Sequence, residues 1–137
     1  MKFRVDRRIR FADVDPAGIV FYPRYFEMIN ACVEDWFETA LGYGFDAMIV
    51  KGHHAVPLAQ IEVAFKAPSR LDDELVFELA LREIGRSSFK LAITASHDDT
   101  IRMSAKAVLV YIDKDKHAPV RIPEILRAKM SAYLESE

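Results

Sequence analysis

The segment from Pro23 to Leu41 is long, rich in apolar side chains and free of internal helix breakers. Proline suits the first position of a helix because its missing N–H has no partner there, and Gly42 is a typical C-terminal cap. The apolar residues cover far more than one stripe of such a helix: Tyr25, Phe26, Met28, Ile29, Ala31, Cys32, Val33, Trp36, Phe37, Ala40 and Leu41. The segment therefore predicts a central helix with most of its circumference covered by protein.

Four later segments alternate apolar and polar residues with a period of two, as half-buried β-strands do. They cover residues 56–66, 74–82, 89–96 and 101–112, with a hairpin turn at 97–100. A first strand, from Phe3 to Phe11, precedes the long helix, and a second helix is expected at 123–133 with Ile125, Leu126, Met130 and Leu134 on one side. An antiparallel sheet curved around the long helix satisfies these patterns, so the expected class is α+β.

Length and composition narrow the class of protein. A chain of 137 residues with 51% hydrophobic residues predicts a single domain, 1–137, with a substantial core. A net charge of -2 and a pI near 6.1 argue against a nucleic-acid partner. No apolar run has the length of a signal peptide core or a membrane span, so we expect no membrane partner and a cytoplasmic location. Cys32 is the only cysteine, which excludes a disulfide within the chain.

The junction between the first strand and the long helix has the chemistry of an active site. The strand must stop at Asp15-Pro16, and Gly18 permits a tight turn before the helix. The start of a helix carries unpaired N–H groups and a partial positive charge, which can stabilise a developing oxyanion. On local chemistry alone, Asp15 is equally compatible with a turn or helix-capping aspartate.

The string DVDPAGIVFYPRYF, residues 13–26, resembles the signature of the hotdog-fold thioesterases. Within them it is similar to the 4-hydroxybenzoyl-CoA thioesterase family of the Asp-nucleophile type. The resemblance implies a hotdog fold, a curved antiparallel sheet wrapped around a long central helix. It also implies hydrolysis of an acyl-CoA thioester to free acid and coenzyme A, with no metal or other cofactor. The expected assembly is a homo-oligomer: a dimer with sheets joined edge to edge, often paired into a homotetramer, with active sites at subunit interfaces.

The same resemblance suggests roles for particular residues. Asp15 is expected to be the nucleophile, or the general base for water, and the backbone N–H of Tyr22 to polarise the thioester carbonyl. Gly18 matches the turn glycine that lets the substrate approach. Arg86, Ser87 and Ser88 match a segment that contacts coenzyme A, although relatives carry more basic residues there.

Several alternatives remain at this point. The aromatic residues around the junction favour an aromatic or short acyl group, although such residues are more often core than pocket. Glu34 is the second candidate for the catalytic acid, since another branch of the fold uses a glutamate on the central helix. A non-catalytic module that binds acyl-CoA or acyl-carrier protein is the alternative function. The histidines show no metal-ligand spacing, so no metal is predicted.

Overall fold

A computed structural model describes residues 1–136 of the chain. Five antiparallel strands form one sheet in the order β1-β4-β5-β6-β3, and three two-residue strands form a small sheet in the order β2-β7-β8. The elements are β1 Phe3–Arg8, α1 Pro23–Asp35, β2 His54–Ala55, β3 Leu58–Phe65, β4 Glu74–Ile84, β5 Ser88–His97, β6 Thr100–Val110, β7 Ile112–Asp113, β8 Ala118–Pro119 and α2 Glu124–Ser131.

Helix α1 lies against the inner face of the large sheet and begins at the predicted proline. A π-helical turn, Trp36–Ala40, extends it, and Gly42 ends it with a φ of +65°, a backbone conformation that favours glycine. The buried residues of this helical segment are Tyr25, Met28, Ile29, Cys32, Val33, Trp36 and Phe37. Together with the inward side chains of β4, β5 and β6 they form the core.

The outer face of α1 differs from the sequence-based expectation. Phe26, Glu27, Asn30 and Glu34 are exposed, because the sheet covers only one side of the helix within a single chain. The prediction that most of the circumference is covered is therefore wrong for the isolated protomer. The buried apolar stripe on the other side is enough to hold the helix on the sheet.

The strand predictions are confirmed in number and order, with local differences at the ends. Phe11 is 82% exposed, because β1 ends at Arg8 and Phe11–Asp13 form a 3-10 turn. Ile125 is 76% exposed, whereas Leu126 and Met130 on the neighbouring face of α2 are buried. The small sheet was not predicted, since two-residue strands are too short to show a period.

Strand β3 forms one edge of the large sheet and presents an open side. All of its residues are exposed or half-buried. Just beyond its end, the N–H of Lys66 donates to the carbonyl oxygen of Arg102 at 2.8 Å. Hydrogen bonds alternate along an antiparallel strand, so the N–H groups of Ile61, Val63 and Phe65 point away from β6. The free edge thus offers a row of donors and acceptors to another strand.

Candidate active site

A short hairpin connects β1 to α1 and positions the predicted site residues. The N–H of Asp15 donates to Ile19 O and the N–H of Gly18 to Asp15 O, both at 2.9 Å. Gly18 has a φ of +80°, which explains the glycine at the tip. Nearer the base, the N–H of Phe21 donates to Asp13 O at 2.9 Å. Asp15 and Gly18 therefore lie on one hydrogen-bonded hairpin, and Tyr22 follows it directly as the N-cap of the helix.

The carboxylate of Asp15 combines a structural contact with a free oxygen. Its Oδ1 accepts the N–H of Ala17 at 2.9 Å, which stabilises the turn. Within residues 1–136, its Oδ2 has no hydrogen-bond partner. Asp13 differs, because it is buried and its Oδ2 accepts the N–H of Arg10 at 2.9 Å. The second aspartate of the motif is therefore the one whose carboxylate remains available for chemistry.

The backbone N–H of Tyr22 is the unused donor at the start of α1. Pro23 has no N–H, while the N–H of Arg24 donates to Phe21 O at 2.8 Å and that of Tyr25 to Tyr22 O at 3.1 Å. Among the described residues, no acceptor bonds the N–H of Tyr22. It lies at the positive end of the helix dipole, so it can bind a negatively charged oxygen.

A cavity of about 310 Å³ opens beside this junction. Its lining consists of Ile19, Val20, Tyr22, Tyr25, Phe65, Lys66, Ala67, Pro68 and Ser69. The ring centroid of Phe65 lies 6.2 Å from that of Tyr22 and 5.7 Å from that of Tyr25. Asp15 does not line the cavity, which begins at its hydrogen-bonded partner Ile19. The cavity is mostly apolar and lies within the usual size range of small-molecule sites.

The segment with Arg86, Ser87 and Ser88 lies elsewhere in the protomer. It forms the turn between β4 and β5, whereas the hairpin with Asp15 lies near the start of β4. At about 3.3 Å per residue, the length of β4 separates the two by on the order of 30 Å. Within one chain they do not meet. The expected contact of these residues with coenzyme A remains a prediction.

Cys32 is buried in α1 away from the hairpin, with 2% of its surface exposed. Burial, aided by the nearby charge of Asp35, raises the pKa of its thiol to about 12. We expect no reaction with Ellman's reagent at pH 8 in the folded protein and full reaction after denaturation, because only the thiolate is nucleophilic. Rapid labelling of the native protein would contradict this placement.

Sequence reasoning missed part of the cavity wall. Phe65 and Lys66 end the predicted strand 56–66, but nothing in the sequence places them or the following Ala67, Pro68 and Ser69 beside the motif. In residues 1–136, no three His, Cys, Asp or Glu side chains are grouped so that they could hold a metal ion. None of the helices described is long and apolar enough to cross a membrane.

Comparison with known proteins identifies the family. The sequence profile of the Thioesterase-like superfamily matches residues 9–130. A 1,4-dihydroxy-2-naphthoyl-CoA hydrolase from Synechocystis sp. is 25% identical over 88% of this chain and 90% of the relative. A 4-hydroxybenzoyl-CoA thioesterase from Pseudomonas sp. is 30% identical, over 62% of this chain and 61% of the relative.

Solved structures agree with this assignment. The structure of a gentisyl-coenzyme A thioesterase superposes with a TM-score of 0.83 at 26% identity, over 94% of this chain and 99% of that one. The Dynemicin thioesterase superposes with a TM-score of 0.90 at 16% identity over the whole of both chains, a likeness of fold. The predicted hotdog fold and the predicted enzyme class, thioester hydrolase, are confirmed. The chain belongs to the thioesterase-like superfamily.

Proposed function

We propose that this protein hydrolyses acyl-CoA thioesters to a free acid and coenzyme A at the hairpin that carries Asp15. The observation that carries the proposal is the unused N–H of Tyr22 at the start of α1, on the same hairpin as a carboxylate with a free oxygen. A thioester carbonyl needs both groups, a donor for its oxygen and a nucleophile or base for its carbon.

The proposed reaction proceeds as follows. The Tyr22 N–H donates to the thioester oxygen and stabilises the negative charge that develops there. Asp15 then attacks the carbonyl carbon, the C–S bond breaks, and coenzyme A leaves as a thiolate that takes up a proton. Water hydrolyses the resulting mixed anhydride and regenerates the carboxylate. In the alternative, Asp15 removes a proton from a water molecule that attacks the carbonyl directly. Neither route requires a metal or redox cofactor.

We further propose an aromatic acyl group. The cavity walls include three aromatic rings, from Tyr22, Tyr25 and Phe65. The relatives by sequence act, by name, on 1,4-dihydroxy-2-naphthoyl-CoA and 4-hydroxybenzoyl-CoA. Flat rings pack well against such walls in offset or edge-to-face contacts, and a cavity of about 310 Å³ suits a ring better than a long aliphatic chain.

A panel of acyl-CoAs tests this proposal. Release of free thiol is measured with 4-hydroxybenzoyl-, phenylacetyl-, butanoyl- and palmitoyl-CoA. We expect the two aromatic substrates to give the highest kcat/KM, because their rings fill the cavity. Fastest turnover of palmitoyl-CoA would overturn the acyl group proposed, and no turnover of any thioester would overturn the activity itself.

The active unit is proposed to be a dimer that joins two β3 edges, with pairing of dimers as a further step. The exposed rings of Phe21, Tyr22 and Phe65 form an aromatic surface beside the cavity, with neighbouring centroids 5.8 and 6.2 Å apart. An antiparallel pairing of two β3 strands places the start of one strand beside the Phe65 end of the other. The partner then covers the aromatic surface and completes the cavity.

The substitution Val63→Pro tests the dimer. It removes an N–H that points to the free edge, so the ladder to β6 is kept while pairing with a second β3 is blocked. We expect a folded monomer in sedimentation velocity and a loss of turnover of about 10-fold or more. Val63→Ala keeps the N–H and is expected to remain dimeric and active. A dimer formed by the proline variant would exclude this edge as the interface.

A further inference from the structure

The loop of residues 66–73, called here the 66–73 loop, is the backbone partner of the catalytic hairpin. The N–H of Val20 donates to Ser69 O at 2.9 Å, and the N–H of Leu71 donates to Gly18 O at 3.2 Å. Ile19 and Arg70 pair between them as an isolated antiparallel bridge. These backbone contacts therefore fix the position of residues 18–20, which lead from the turn to the helix.

The same loop is tied to the first turn of α1. The hydroxyl of Tyr25 donates to Oγ of Ser69 at 2.8 Å, and both residues are buried. Burial raises the pKa of the Tyr25 hydroxyl, which keeps it protonated and able to donate. The 66–73 loop thus supports both the hairpin, which carries Asp15, and the start of the helix, which carries the Tyr22 N–H.

The guanidinium of Arg102, on β6, contacts three residues of the loop. Its Nη1 donates to Pro68 O at 2.7 Å and to Oδ2 of Asp73 at 3.1 Å, and it lies 3.5 Å from Oγ of Ser69. Only 16% of the Arg102 side chain is exposed. These contacts span the loop from its middle to its end, and charge-assisted hydrogen bonds of this kind are stronger than neutral ones.

Asp73 completes the support. Its Oδ2 also accepts the N–H of Arg70 at 2.9 Å, and its Oδ1 lies 3.9 Å from Nε2 of His97. Partial burial acts to raise the pKa of this carboxyl, but the hydrogen bonds from Arg70 and Arg102 outweigh it and the net pKa is below the usual range. The carboxylate is therefore charged at neutral pH and pairs with the guanidinium.

We propose that Arg102 is a positioning residue for the thioester reaction, acting through the 66–73 loop on the hairpin and the helix start. Arg102 is not among the residues that line the cavity. By fixing the loop it sets the separation between Asp15 and the Tyr22 N–H, and an error of about 1 Å in such a separation can reduce turnover about 100-fold. The inference rests on the proposed hydrolysis at this hairpin.

The test compares Arg102→Lys and Arg102→Gln with the wild type. Lysine keeps the charge but not the geometry that reaches both Pro68 and Asp73. We expect kcat to fall about 10-fold or more in both variants. KM is also expected to rise, because residues 66–69 of the loop line the cavity, so the fall in kcat is the result that tests positioning. Arg121→Gln is the matched control: Arg121 is an exposed arginine paired with Glu124 at 2.8 Å, and we expect unchanged kcat.

Chemical rescue separates positioning from a general loss of stability. In Arg102→Ala, millimolar guanidinium is expected to restore part of kcat, whereas ammonium at the same concentration is not. Wild-type kcat in a folded Arg102→Gln variant would overturn the proposal. If the alanine variant fails to fold, the lysine variant decides the question, because wild-type kcat in that variant would overturn the proposal.

Hydrogen exchange gives a readout that does not depend on activity. Loss of the guanidinium should speed exchange of the Val20 and Leu71 amides, whose acceptors belong to the loop or the hairpin. If the wild type hydrolyses no thioester while the Arg102 variants show faster exchange, the proposed function is refuted but the support of the hairpin by Arg102 stands. Unchanged exchange at both amides would refute the support itself.

Discussion

The substitution Asp15→Asn is expected to reduce kcat by about 100-fold or more while the protein remains folded. The amide of asparagine retains an oxygen that can accept the N–H of Ala17, so the turn is preserved. It is neither a nucleophile nor a base at neutral pH. Thiol release from 4-hydroxybenzoyl-CoA and circular dichroism of the same sample are the measurements.

Asp99→Asn is the matched control for this variant. Asp99 is an exposed aspartate in the turn between β5 and β6, with a φ of +62° that asparagine also tolerates. We expect wild-type turnover in this control, so any loss at position 15 reflects its place in the site. Full activity of Asp15→Asn would remove Asp15 from the mechanism and would favour a carboxylate on α1, Glu34 first.

The substitution Tyr22→Pro tests the backbone donor. Tyr22 has a φ of -54°, which lies within the range that proline adopts, and its N–H bonds no acceptor among the described residues. The variant therefore removes the donor without breaking a hydrogen bond of the fold. Loss of one oxyanion donor typically costs about 10²–10³ in kcat, and we expect a decrease of that size.

Tyr22→Ala separates the backbone from the ring. It keeps the N–H and removes the aromatic side chain, which is 61% exposed. We expect KM to rise through lost contact with the acyl ring while kcat changes by less than about 10-fold. Equal losses of kcat in the alanine and proline variants would assign the effect to the ring and refute the role of the N–H.

Much of the fold is encoded in local signals. Pro23 and Gly42 mark the ends of the long helix, and the alternation along β4, β5 and β6 gives the buried face of the sheet. The exposure of Phe11 did not follow from the alternation, because a 3-10 turn shifts the residue off the strand's inner face. The open outer face of α1 also could not be predicted, since apolar composition does not say which neighbour covers a helix.

The sequence likewise predicts only part of the candidate site. The hairpin residues Asp15, Gly18 and Tyr22 are close in sequence and form a motif. Phe65 and Arg102 reach the site from distant strands, and no local pattern signals a contact between residues so far apart in the chain. In the sequence, Arg102 has the pattern of an ordinary polar residue on a half-buried strand. Its contact with the 66–73 loop is visible only in the folded structure.

The most direct test of the central claim is the fate of 4-hydroxybenzoyl-CoA mixed with the wild-type protein. Free thiol is followed spectroscopically, and binding is followed by calorimetry with the Asp15→Asn variant. We predict repeated turnover by the wild type and binding without turnover by the variant. Binding by both proteins without release of thiol from this or any other acyl-CoA would contradict hydrolysis and identify a module that only binds its ligand.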